Sequence, residues 1–141
     1  MIKEKNIIAV IPARSGSKGL KDKNIAPYKD IPLFMHSYNY AKKSLPESQI
    51  LLSTDSVEYK KIAMSYGVKE DSILIRPKSI AEDNVVDYPV ALHAFLHYEM
   101  IKKQEISLLI WLRPTSPVRE TGLIERSISL IKSDSKITSV R

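Results

Sequence analysis

The stretch Ile8-Ala9-Val10-Ile11-Pro12-Ala13-Arg14-Ser15-Gly16-Ser17-Lys18-Gly19-Leu20-Lys21-Asp22-Lys23-Asn24 carries an apolar strand straight into a loop of small residues and cations. The chain has four glycines, and two of them, Gly16 and Gly19, sit in this loop, where backbone must approach a ligand closely or adopt positive φ. Arg14 offers a planar fork for a phosphate, whereas Lys18 and Lys23 are point charges on flexible stems. Gly16, Ser17 and Gly19 can present amides without a bulky side chain. The loop matches neither the GxxxxGK[ST] nor the GxGxxG pattern. By composition alone it reads either as a polyphosphate cradle or as a polar surface loop.

Outward from this stretch, apolar runs alternate with helical patterns. The first strand covers 6–11, and further strands are predicted at 50–53, 72–75, 107–112 and 136–140. Helices are predicted over 33–44, 57–65, 88–103 and 121–132. Ser56 or Asp55 is placed to cap the second helix, and Gly67 to stop it. Over 88–103, Ala91, Ala94, Phe95, Tyr98 and Ile101 recur at three- and four-residue steps, with Asp87 and Pro89 at the start where a cap and a proline are tolerated. Thr121 is a candidate cap for the last helix. Repeated β-α units build a mostly parallel sheet with helices on both faces, a Rossmann-like three-layer αβα arrangement whose ligands bind at the carboxyl ends of the strands. The segment 76–87 follows a strand and reads as a binding loop or a long surface connection.

The 141 residues, 43% of them hydrophobic, suffice for one domain with a core. Residues 136–141 end inside an expected strand, which suggests the N-terminal portion of a larger domain, incomplete at its C-terminus. With no cysteine, thiol chemistry and cysteine metal sites are excluded. No stretch approaches the roughly 18 apolar residues of a membrane span, and no secretory leader is evident, so a cytoplasmic location is expected. The net charge of +6 suits an anionic partner, which could be nucleic acid, an acidic membrane surface or a nucleotide.

Four separated motifs in order carry a family resemblance. Ile11-Pro12-Ala13-Arg14-Ser15-Gly16-Ser17-Lys18-Gly19 with Lys23-Asn24, then Ser53-Thr54-Asp55, then Arg76-Pro77 with Ala81-Glu82-Asp83, and Arg113-Pro114-Thr115-Ser116-Pro117-Val118-Arg119 resemble the acylneuraminate cytidylyltransferases, also called CMP-sialic acid synthetases. The resemblance implies transfer of CMP from CTP to the anomeric hydroxyl of a nine-carbon keto-sugar acid with release of pyrophosphate, using Mg²⁺, in the supply of cell-surface polysaccharide. It implies CTP and a sugar acid as partners, with neither nucleic acid nor membrane, and a homodimer formed through a later segment. Metal-binding aspartates and much of the sugar pocket also lie in that later segment in the family.

Carried over position by position, Arg14, Ser17, Lys18 and Lys23 match the triphosphate-binding residues, with Arg14, Lys18 and Lys23 the catalytic cations. Ser15 and Gly16 belong to the same nucleotide-binding loop, and Asn24, Arg76 and Asp83 lie where the nucleoside contacts are found. Arg113, Thr115 and Ser116 match the sugar-facing motif. Many relatives carry Gln at the position of Arg113, so this cation could contact the substrate carboxylate or pair with Glu120. On their own residues, Arg76 reads as a solvent-exposed strand-end cation, Glu82 and Asp83 as a loop rim, and Asp55 as a helix cap with an indirect role in loop shape. Ser116 lacks a nucleophile elbow. His93 and His97 share a helix face without the glutamate of a zincin, which favours packing or surface roles, and His36 also lies in a helical segment. The scattered tyrosines favour packing over base stacking. The alternatives are an idle nucleotide-binding module and a cytidylyltransferase for another sugar acid, such as 3-deoxy-manno-octulosonate, legionaminate or pseudaminate.

Overall fold

The computed structural model describes residues 6–16, 19–82 and 85–141. Its main sheet is built on β1 (Ile7–Pro12), β4 (Ile50–Thr54), β5 (Ile73–Ile75) and β6 (Leu108–Trp111), with two two-residue strands, β2 (Pro27–Tyr28) and β3 (Ile31–Pro32), forming a separate hairpin. The four main strands are parallel, in the order β5-β4-β1-β6. Val10 lies opposite Leu51 on one side and Trp111 on the other.

The uninterrupted apolar run of β1 has a direct cause in this topology. Ile7, Ala9 and Ile11 face a layer containing Phe34, Met35 and Tyr38 of α1 (Leu33–Lys42), Tyr59 and Ala63 of α2 (Val57–Ser65) and Ile124 of α4 (Leu123–Ser133). Ile8 and Val10 face the opposite layer, where α3 (Asp87–Lys102) contributes Ala94 and Tyr98. A strand covered on both faces cannot alternate apolar with polar residues. Parallel neighbours need crossover connections, and the helices provide them.

Local chemistry sets the helix ends. Ser56 caps α2 by accepting the Tyr59 N–H at 3.2 Å. At the other end, the N–H of Gly67 reaches the Met64 carbonyl and that of Val68 reaches the Ala63 carbonyl. Gly67 has φ +92°, so these bonds form a Schellman stop. Pro32 stands extended before α1 and Pro89 lies in the first turn of α3, where a missing N–H costs nothing.

Three sequence expectations are corrected. Thr121 does not cap α4; Gly122, in a left-handed conformation, occupies that position without a side-chain bond. Asp87 is the first residue of α3 and not its cap, which is Val86. Residues 136–140 form no strand: Lys136 and Ile137 donate their N–H groups to the Asp134 side chain and carbonyl, giving a turn. Residues 138–141 then run irregularly beside β6. A strand needs a paired neighbour, which high β-propensity alone does not supply.

Because Ile8 is fully buried between β1 and the α3 layer, Ile8→Ala is expected to destabilise the chain by about 2–5 kcal/mol. Urea unfolding with an unchanged m-value would measure it.

Candidate functional site

The chain steps outward from β1 to β4 and β5, then returns through α3 to place β6 on the other side of β1. The direction of winding therefore reverses between β1 and β6, and a crevice opens beyond their carboxyl ends. A cleft of about 260 Å³ lies there, gathering Arg14, Lys23, Asn24, Arg76, Arg113 and Thr115 from four separate stretches of sequence. Among the described residues, Glu82 and Asp87 are its carboxylates, fewer than the four cations around the opening, and Ile80, Val86 and Trp111 contribute apolar wall.

Hydrogen bonds tie Arg14, Arg76 and Asn24 to the strand ends. The Ala13 N–H donates to the Ser53 carbonyl at 2.8 Å, extending the β1–β4 pairing to the residue before Arg14. The same carbonyl accepts Nη2 of Arg76 at 3.0 Å, and the Arg76 N–H donates to the Thr54 carbonyl at 2.8 Å. Asn24 is buried and donates Nδ2 to the Arg14 carbonyl at 2.8 Å, closing the loop by joining its end to its beginning.

Arg76 departs from the expectation of a solvated strand-end cation. It is 6% exposed, and its Nε is buried with no hydrogen-bond partner. Burial pushes its pKa down; Asp55 opposes that shift, while Arg14 adds to it. A guanidinium held this way beside a cleft is a desolvated cation with hydrogen-bonding capacity to spare.

Arg113 pairs with Asp87 at the mouth of the cleft, not with Glu120. Glu120 pairs instead with Arg126 at 2.8 Å. The Arg113 carbonyl accepts from Ser37 Oγ at 3.2 Å and Arg119 Nη2 at 2.7 Å, which fixes the backbone beneath its exposed side chain. Thr115 reaches the cleft, whereas Ser116 is exposed, its N–H turned back to the Arg113 carbonyl.

The other predicted residues divide clearly. Ser15 lies beside the cleft, with its N–H and hydroxyl both donating to Asp55 at 2.8 Å. Asp55 thus serves the loop, and capping α2 falls to Ser56. Gly16 is exposed and needs no positive φ. Ser17, Lys18 and Asp83 lie outside the described residues. Trp111 was not anticipated, and its signal was its place near the carboxyl end of an apolar strand expected over 107–112 and observed as Leu108–Trp111.

His93 has a buried Nδ1 without a partner. Burial, then His97 and Arg76, lower its pKa and favour the neutral ring, in keeping with a packing role. Among the described residues no group of three or more His, Cys, Asp or Glu side chains could hold a metal, and Asp87 in the cleft is already engaged by Arg113. These residues do not by themselves form a magnesium site. Among them, too, no helix is long and apolar enough to cross a membrane.

The sheet order and the cleft at its reversal define a Rossmann-like α/β protein. A family model described as Cytidylyltransferase matches residues 8–105. The chain belongs to that cytidylyltransferase family. It is 35% identical over 134 residues to the N-acylneuraminate cytidylyltransferase of Escherichia coli O18:K1:H7 (strain RS218 / NMEC), a match covering 95% of this chain and 30% of that protein. It is 34% identical over 137 residues to Post-translational flagellin modification protein B of Campylobacter coli, covering 95% of this chain and 57% of that one. Among solved structures, CMP:2-keto-3-deoxy-manno-octonic acid synthetase complexed with CTP shares the fold, with a TM-score of 0.70 at 20% identity over 93% of this chain and 49% of that one. The chain spans 30% and 57% of the length of the two curated relatives.

Arg76 is desolvated without full compensation, so Arg76→Met is expected to leave thermal stability within about 1 kcal/mol of the parent or to raise it. Thermal unfolding followed by circular dichroism would test this, and a loss above about 3 kcal/mol would instead mark Arg76 as a structural support.

Proposed function

We propose that this chain carries the nucleotide half of a site that transfers CMP from CTP to a sialic-acid-type nine-carbon keto-sugar acid. The observation that carries this reading is the convergence of Arg14, Lys23, Arg76 and Arg113 on one cleft at the strand ends. In the reaction, the anomeric hydroxyl oxygen bonds to the α-phosphorus of CTP as the bond to the α,β-bridging oxygen breaks. The hydroxyl proton goes to solvent, and the bonding electron pair leaves with pyrophosphate.

Negative charge grows on that leaving group, and fixed cations are the means of stabilising it. Arg14 and Lys23, with Lys18 from the same loop, take that role. Asn24 and Arg76 are assigned to the nucleoside, a role the family resemblance also gives Asp83, and the apolar wall would exclude water from one side of the base. Ser15 and Gly16 shape the loop. Arg113 and Thr115, followed by Ser116, belong to the sugar side. Arg113 is paired with Asp87 at the cleft mouth, and a sugar-acid carboxylate is the same functional group as the one it would displace. The exchange releases the Asp87 carboxylate to solvent, a small cost because that side chain is more than half exposed, and it favours a keto-acid over a neutral sugar. It is compatible with 3-deoxy-manno-octulosonate, legionaminate and pseudaminate as well. Magnesium and a homodimer belong to this reading through the family resemblance.

Titration calorimetry of the 141-residue chain with CTP, ATP, GTP and UTP, each with Mg²⁺, tests the nucleotide half directly. The expected result is selective CTP binding, weakened at least about tenfold by Arg14→Ala through loss of a charge-assisted bond. A folded chain that binds no CTP, or binds all four nucleotides alike, would overturn the reading.

A further inference from the structure

Two side chains, one helical turn apart at the start of α2, grip the loop that follows β1. Asp55 accepts twice from Ser15: the backbone N–H reaches Oδ1 and the hydroxyl reaches Oδ2, each at 2.8 Å. Tyr59 donates its hydroxyl to Oδ1 of Asp22 at 2.9 Å. Ser15 immediately follows Arg14, and Asp22 immediately precedes Lys23. The two attachments therefore sit next to two of the cations that line the cleft.

Both grips are themselves rigidly aimed. Tyr59 is 1% exposed and stacks on Phe34, with centroids 6.4 Å apart and planes at 17°. Burial, and then the bond to Asp22, push its pKa up, so its hydroxyl remains a donor. Asp22 holds a left-handed backbone with φ 54°, a conformation that a residue with a Cβ adopts only at a cost. The tyrosine bond helps offset that cost. Asp55 is fixed by the end of β4 behind it and by the Ser56 cap of α2 ahead of it.

We propose that Asp55 and Tyr59 are positioning residues that set the loop before nucleotide arrives, with Ser15 acting as its anchor and not as a phosphate donor. Both donors of Ser15 are committed to Asp55, which leaves phosphate binding to its neighbours. The proposal rests on the cytidylyltransferase reading only for the identity of the ligand. Electrostatics alone predicts the opposite effect. Asp55 is a negative charge felt by Arg76, so a carboxylate acting merely as a bystander would repel a triphosphate, and its removal would tighten binding.

The test uses the whole chain in two measurements. Amide hydrogen exchange without ligand reads the loop directly, and Ser15 is expected to exchange at least about tenfold faster in Asp55→Ala than in the parent. CTP titration is expected to show binding about tenfold weaker in Asp55→Ala, which loses two hydrogen bonds to Ser15, and about threefold weaker in Tyr59→Phe, which loses one to Asp22. Asp55→Asn keeps an acceptor for the Ser15 N–H while losing the charge, so it should lie closer to the parent than Asp55→Ala does. Unchanged Ser15 exchange in folded Asp55→Ala, or CTP binding as tight as or tighter than the parent's, would overturn the proposal. Tyr59→Phe retains the core ring and provides the same decision at Asp22 if Asp55→Ala does not fold. A parent chain that binds no CTP would sink the cytidylyltransferase reading and leave the exchange measurement to decide the clamp.

Discussion

Everything at the cleft depends on β1 being held from both faces. Its odd-numbered side chains are locked into the α1, α2 and α4 layer, its even-numbered ones into the layer that contains α3. Close-packed interiors transmit position with little slack, so the point where β1 ends is defined by the whole domain. The loop inherits that definition through the Ala13 bond to Ser53 and the Asn24 bond to Arg14. With β4 on one side of β1 and β6 on the other, the only way out for the chain is into the crevice.

The site runs against the rules that govern the core. The strands bury mainly apolar groups, whereas polar residues collect at their carboxyl ends: Ser53 and Thr54 close β4, and Arg76 is buried with an unpartnered Nε. Such conflicts are expected where binding has been placed ahead of stability. Arg113 and Asp87 handle the same problem differently. Both are more than half exposed, so the pair adds little to stability and can be exchanged cheaply.

The parts legible in the sequence were those set by periodicity and by local chemistry. The limits of α2 follow from Ser56 and Gly67, and α3 from the recurrence of Ala91, Ala94, Phe95, Tyr98 and Ile101, although the buried face is Val90, Ala94 and Tyr98, and Ile101 is exposed. What was missed depends on partners distant along the chain. The β2–β3 hairpin turns through Lys29 and Asp30, both at positive φ, without the glycine or asparagine that announces such a turn. Residues 136–140 have strand composition but pair with no strand. At the site, the grouping of Arg14, Lys23, Arg76 and Arg113 was readable from motif order. The burial of Arg76, the choice of Asp87 over Glu120 by Arg113, and the grip of Asp55 on Ser15 join residues 23, 26 and 40 positions apart. No local pattern signals them.

The sheet also tapers. Its inner strands β1 and β4 have six and five residues, while the outer strands β5 and β6 have three and four. Unpaired backbone at a sheet margin is a template on which another chain can assemble, and short margins are one of the means by which proteins blunt it. Here the longest hydrogen-bonding runs are enclosed and the shortest face outward. Among the described residues, the arrangement that centres the crevice therefore leaves only short unpaired margins for another chain to build on.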